Sequence, residues 1–105
     1  MSTPTDRQRL PNRRPSESLS LECAGLAYTA TLSRFPDGRI GELFIAAHKA
    51  NSTADVNARD AAIAFSFAIQ HGADPEAIRK ALCRDSHGRA SSPLGAALDI
   101  IAGAP

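Results

Sequence analysis

Between Glu17 and Cys23 apolar and polar residues alternate, with Leu19, Leu21 and Cys23 on one face and Ser18, Ser20 and Glu22 on the other. That period of two is the signature of a half-buried strand. Ala24-Gly25 is short enough for a two-residue hairpin turn, and Leu26, Tyr28, Ala30 and Leu32 then alternate with Ala27, Thr29, Thr31 and Ser33. A second strand therefore folds back on the first. Phe35-Pro36-Asp37-Gly38-Arg39 supplies a further reversal, because Pro fixes φ early in a turn and Asp-Gly tolerates the left-handed conformations that follow. Ile40 to Ala46 reads as a third strand, with Leu43 and Ile45 on one face and Ile40, Glu42 and Phe44 on the other. Apolar groups on both faces predict a central position in the sheet or one at an interface.

Beyond Asn51 the period changes. Asn51-Ser52-Thr53 offers N-caps, and residues 54–70 contain neither Gly nor Pro, which predicts a helix of about five turns. Val56, Ile63 and Phe67 share one face and Phe65 and Ile69 lie nearly opposite, with Asp55, Arg59, Ser66 and Gln70 as a narrow wet strip between them. One apolar face is expected to cover the sheet and the other to meet a later helix or a second chain. Asp60 falls within the Val56 stripe and would need a partner there. Gly72 is placed to end this helix in a left-handed cap, and Asp74-Pro75 begins a second helix through about Cys83, with Ile78 and Leu82 on its buried side. A polar Asp-Ser-His-Gly turn follows, and Ser92-Pro93 opens a third helix through Ile101. The pattern predicts an α+β fold: a three-stranded antiparallel meander followed by one long and two shorter helices packed on the sheet. Residues 1–15 hold Pro4, Pro11, Pro15, Arg7, Arg9, Arg13 and Arg14, with Leu10 the single apolar side chain beyond Met1. They read as a flexible basic arm, and residues 16–105 as one domain.

Composition narrows the class. The 105 residues are 43% hydrophobic and 22% charged, near globular averages, so one packed domain is expected. Aromatics make up only 5%, so the core must rest on Ala, Leu and Ile. A net charge of +1 gives no field to draw nucleic acid or an anionic membrane. No apolar run is long enough to span a bilayer and the start of the chain is polar, so a cytoplasmic protein without membrane attachment is expected. Cys23 and Cys83 lie far apart without metal-ligand or redox spacing and read as buried free thiols.

Candidate chemistry is sparse. His48 and Lys49 leave the third strand together, where they could contact a phosphate or exchange a proton, although fold or interface hydrogen bonds are the plainer role. His71, just before Gly72, suits the carbonyl end of a helix, and His87 sits in a polar loop. Glu42 is a carboxylate in an apolar strand and Asp60 one in an apolar stripe, so each reads as half of a structural ion pair rather than a general acid, with Arg34 a candidate for Glu42. Arg13, Arg14 and Arg39 are cations that could contact a ligand or partner. The arginine density is too low for a nucleic-acid arm. No phosphate loop, dinucleotide fingerprint, zinc-protease helix or nucleophile elbow is present in the sequence. Neither a metal site nor a cofactor is expected.

The residues from Leu10 to about Leu98 resemble a region near the C-terminus of adenosylcobalamin-dependent, class II ribonucleotide reductases, often called the TSCPD domain. The resemblance runs in order through Leu10-Pro11-Asn12-Arg13-Arg14, Tyr28-Thr29-Ala30, Arg34-Phe35, Asp37-Gly38-Arg39 and Glu42-Leu43-Phe44. It continues through Ala54-Asp55-Val56, Arg59-Asp60-Ala61-Ala62-Ile63, Gln70-His71-Gly72, Ser92-Pro93-Leu94-Gly95 and Ala97-Leu98. In such reductases this region follows the catalytic barrel, which carries the radical chemistry, the cobalamin site and the substrate cysteines. None of these is encoded here. The Thr-Ser-Cys-Pro-Asp string and the C-terminal cysteine pair of some relatives are also missing, which argues against a redox role. The resemblance implies a free-standing, non-catalytic binding or assembly domain whose partner is a second copy, a reductase or another protein. The alternatives are a nucleotide-binding regulator of deoxynucleotide synthesis using Arg39, His48 and Lys49, and a small enzyme whose site joins Glu42 and His48 across a subunit interface.

Overall fold

A hairpin opens the sheet. In the computed structural model, which describes residues 6–12 and 15–103, β1 (Ser16–Cys23) and β2 (Leu26–Arg34) pair antiparallel. Cys23 and Leu26 close the ladder around Ala24-Gly25. Both turn residues have positive φ, 52° at Ala24 and 79° at Gly25. Two left-handed residues match the right-handed twist of paired strands, and Gly supplies that conformation without steric cost. β3 (Ile40–Ala47) pairs antiparallel with β2, giving the order β1-β2-β3. Phe35, buried in the turn, closes it with a backbone bond from its N–H to the Arg39 carbonyl at 2.8 Å.

The three helices follow: α1 (Thr53–Gln70), α2 (Pro75–Ala81) and α3 (Pro93–Ala102). Ser52 caps α1 by accepting the Asp55 N–H at 3.1 Å, and Asp74 and Ser92 cap α2 and α3 in the same way, each followed by Pro. α1 ends at Gly72, where the Ala73 N–H reaches the Ala68 carbonyl and the Gly72 N–H that of Ile69, the paired bonds of a Schellman cap. The α+β meander-then-helices architecture expected from the pattern is present, with α2 ending at Ala81.

The core lies between one face of the sheet and the helices. Leu21, Tyr28, Ala30, Leu32, Leu43 and Ile45 meet Ala58, Ala62, Phe65, Ile69, Leu94, Ala97 and Leu98. Ala58, Ala62 and Ala97 are almost fully buried, so helix backbones come close to the sheet without large side chains. Leu32, Leu43 and Ile45 fill the centre, each stabilising the fold by about 2 kcal/mol through apolar burial. The other sheet face is open and rich in Ser and Thr, with Ser18 Oγ and Thr31 Oγ1 at 3.4 Å across the strands.

Four expectations need correction. Of the two positions expected for β3 the central one falls: it is an edge strand, because two short reversals force a meander in which β2 is central. Ile40 packs against the core rather than sharing a face with Glu42 and Phe44, because the register shifts by one residue between Arg34↔Ile40 and Ser33↔Glu42, leaving Gly41 as the extra residue of a bulge. Around α1, the Phe65 and Ile69 face is the one that covers the sheet, and the supposed wet strip is largely dry, since Asp55, Ser66 and Gln70 are all buried. Cys23 is buried, but Cys83 is exposed beyond the end of α2, and both thiols are free.

Candidate functional site

α1 runs along the free edge of β3, and its dry polar strip meets the edge's backbone. An unpaired strand edge presents N–H and carbonyl groups that must find partners once they are buried. The Leu43 N–H donates to Ser66 Oγ at 2.9 Å, and that hydroxyl lies 2.9 Å from the Leu43 carbonyl and 2.8 Å from Ala62's. Gln70 Nε2 donates to the Gly41 carbonyl at 2.7 Å. Asp55 accepts from the Ala47 N–H and from the Asn51 N–H, both at 2.9 Å. The bond from Asn51, then that from Ala47, holds its carboxyl below the usual range, with the Arg59 charge adding to the effect. Side chains thereby satisfy the Gly41, Leu43 and Ala47 groups along the sheet edge.

The described part of the arm adds to the same seam. The Gln8 N–H donates to the Gln70 carbonyl at 2.8 Å, Arg7 Nε donates to Gln70 Oε1, and the Arg7 guanidinium stacks on Phe67 at 4.4 Å. A Cβ at Gly41 would stand 2.5 Å from Leu10 Cδ2, so Leu10 lies directly on that glycine.

The α1 face that does not cover the sheet forms, with the strand beside it, an apolar strip. Phe44, Val56, Ile63 and Phe67 are 42%, 46%, 46% and 47% exposed. A groove of about 260 Å³ runs between Phe44, Ile63 and Phe67, with Arg7 and Glu42 at its margins. Arg59 reaches over the Phe44 ring at 5.7 Å, and Asp60 is exposed on the same stripe, so the buried partner expected for it is not required.

The residues singled out from sequence are scattered. Arg39, at the start of β3, donates to Asp37 at 2.7 Å and to Gln8 at 3.0 Å and stacks on Phe35. His48 leaves the other end of β3, with a ring nitrogen 3.1 Å from Thr29 Oγ1 and its N–H on the Ala27 carbonyl. Lys49 is exposed beside it, its carbonyl accepting from Ser52 Oγ. Eight strand residues separate Arg39 from His48, roughly 25–30 Å at strand rise, so these cations do not converge on one phosphate within a chain. Glu42 stands opposite Ser33, while Arg34 is engaged by Glu17 at 3.3 Å and the Gly38 carbonyl at 2.9 Å. Arg13 and Arg14 lie outside the described residues. His71 caps α1 as expected, its Nδ1 2.8 Å from the Phe67 carbonyl. Among the described residues no group of three or more His, Cys, Asp or Glu could hold a metal, and no helix is long and apolar enough to cross a membrane.

Sequence reading missed the trio Asp55, Ser66 and Gln70. Their signal was present, for they share one helical face that runs between two apolar ones. It also missed the Asp99 hub, where Arg79 at 3.0 Å and Arg84 at 2.7 Å tie α2 and the loop after it to α3.

The fold and its surface thus define a small α+β domain with a side-chain-capped sheet edge, an apolar strip and scattered cations. Over 67 residues, 64% of its length, the chain is 36% identical to a vitamin B12-dependent ribonucleotide reductase from Agrobacterium fabrum. That stretch is only 5% of the reductase, so the chain is similar to a small ribonucleotide-reductase-related region. No protein-family profile and no solved structure matches the chain.

Proposed function

We propose that this chain is a non-catalytic binding and assembly domain, related to the C-terminal TSCPD region of the B12-dependent reductases, and that it pairs with a second copy of itself. The observation that carries the reading is the strip of Phe44, Val56, Ile63 and Phe67, four large apolar side chains each nearly half exposed, of which Phe44, Ile63 and Phe67 line one groove. Large apolar groups gathered in one patch are the usual mark of a protein–protein surface. A second copy suits it because the strip carries both signs of charge, Arg7 and Arg59 with Asp60. A two-fold interface sets the same patch against itself and needs complementary charges within that patch. The similarity to a reductase supports a place in deoxynucleotide synthesis.

Size-exclusion chromatography with light scattering tests the pairing. At about 100 µM the chain is expected at twice its 11.0 kDa mass, and Ile63→Asp and Phe67→Asp variants at the monomer mass with an unchanged circular dichroism spectrum. A strict monomer for the parent chain sinks the proposal. If the parent instead elutes as a monomer that joins a purified B12-dependent reductase, the occupant of the strip is the reductase and the self-pairing is wrong.

A further inference from the structure

Several clefts lie away from the strip, and the linings of two of them differ in kind. The larger, about 460 Å³, is bordered by Glu22, Asp85, His87, Arg89 and Asp99. Its two aspartates are engaged internally: Asp85 accepts from the His87 and Arg89 N–H groups at 2.8 and 3.0 Å, and Asp99 is held by Arg84 and Arg79. The other, about 370 Å³, lies between the β1–β2 hairpin, the first turns of α1 and the start of α3. Its walls are mostly apolar, with Ala54, Ala58 and Ala61 at helical spacing on α1 and Leu82 and Leu94 from the later helical segments. No Lys, Arg, Asp or Glu lines it.

One polar group in that cleft is unaccounted for. Tyr28 is only 4% exposed, yet among the described residues its hydroxyl has no hydrogen-bond partner, and it lines the cleft. A buried tyrosine hydroxyl ordinarily has a partner. Beside it Cys23 is a free buried thiol whose titration is pushed up by burial, so the neighbouring group stays neutral. Asn57 is exposed at the rim and adds an amide. A volume in the range of ordinary ligand pockets, a neutral lining and one buried donor together select the occupant.

We propose that this cleft is a binding site for a small uncharged ring compound, the ring lying on the alanine wall and a carbonyl or ring nitrogen accepting from the Tyr28 hydroxyl. A charged ligand is disfavoured because nothing in the lining would compensate its loss of water. The site therefore does not take free nucleotides, and it stands independently of the pairing surface.

The full-length chain with cyclohexanone as probe provides the test, with cyclohexanecarboxylate as the charged analogue of similar size. The chain has one Tyr and no Trp, so the Tyr28 ring resonances are unambiguous, and the methyl signals of Leu82 and Leu94 report from the later helical segments. Cyclohexanone is expected to shift the Tyr28, Leu82 and Leu94 signals, all from residues lining the cleft, saturably, with at least tenfold weaker binding of the carboxylate. Tyr28→Phe, read through the leucine methyls, is expected to lose about five- to tenfold in affinity, the usual effect of one neutral hydrogen bond. Ala61→Met, which puts a long side chain into the cleft and leaves the Tyr28 hydroxyl in place, is expected to abolish binding. Absence of saturable shifts up to about 50 mM probe, equal binding of the carboxylate, or unaltered affinity in either variant overturns the site.

Discussion

Ser66→Ala isolates the contact on which the sheet edge depends. In the native fold the Ser66 hydroxyl accepts the Leu43 N–H and sits within hydrogen-bond distance of the Leu43 carbonyl. Leu43 is 2% exposed and Ser66 7%, so water cannot replace the lost partner without opening the seam. A buried N–H left unpaired costs about 1–3 kcal/mol. The better helix propensity of Ala returns roughly 0.5 kcal/mol. The expected net loss is therefore about 1.5 kcal/mol, measured by urea denaturation, and the melting temperature should fall by roughly 7 °C for a domain of this size. Ser20→Ala, on the open face of the sheet, is the control and should change stability by less than about 0.5 kcal/mol. Hydrogen exchange adds a local readout, since the Leu43 amide should lose its protection in the variant while amides bonded between β1 and β2 keep theirs. A Ser66→Ala loss below about 0.5 kcal/mol, or an unchanged Leu43 exchange rate, would show that α1 holds β3 by apolar packing alone.

Three further outcomes are expected. The Asp99 carboxyl is held at about 2, chiefly by its bonds from Arg84 and then by Arg79. Its folded value lies below its unfolded one, so the stabilisation, about 2 kcal/mol, is fully present above about pH 4 and lost as pH falls toward 2. Asp99→Asn should accordingly be less stable at pH 7 and show a shallower acid loss in urea titrations, whereas parallel profiles would remove Asp99 from the acid transition. Gly41→Ala puts a methyl into Leu10 and should lift the arm with little change in the melting temperature, seen as faster proteolysis at Arg7 and Arg9; unchanged cleavage would mean that Leu10 has other room. Ala24→Asn replaces a strained left-handed alanine with the residue favoured before Gly in this turn and should stabilise the chain by about 0.5–1 kcal/mol in thermal denaturation, a neutral effect arguing that the turn is not strained.

Much of the fold was legible because the signals were local. Alternation from Leu19 to Leu32, the Ala24-Gly25 and Pro36-Asp37-Gly38 reversals, and the caps Ser52, Asp74 and Ser92 each act over a few residues, and each lies where the pattern put it. The orientation of α1 was not local. Helical periodicity gives the angle between Phe65 and Phe67 but not which of them meets the sheet, and that choice follows from topology. A meander leaves β3 at the edge, and the short connection through His48 to Ser52 returns α1 alongside it. An edge strand needs hydrogen-bond partners more than apolar cover, so the face of α1 bearing Asp55, Ser66 and Gln70 turns inward. Once that face is fixed, Phe65 and Ile69 rotate over the sheet, and Val56, Ile63 and Phe67 are carried outward beside Phe44. The exposed strip is thus a geometric consequence of satisfying the edge. Polar residues on one helical face that immediately follows a strand can therefore mark the buried side, and the apolar stripe next to them the side left for a partner.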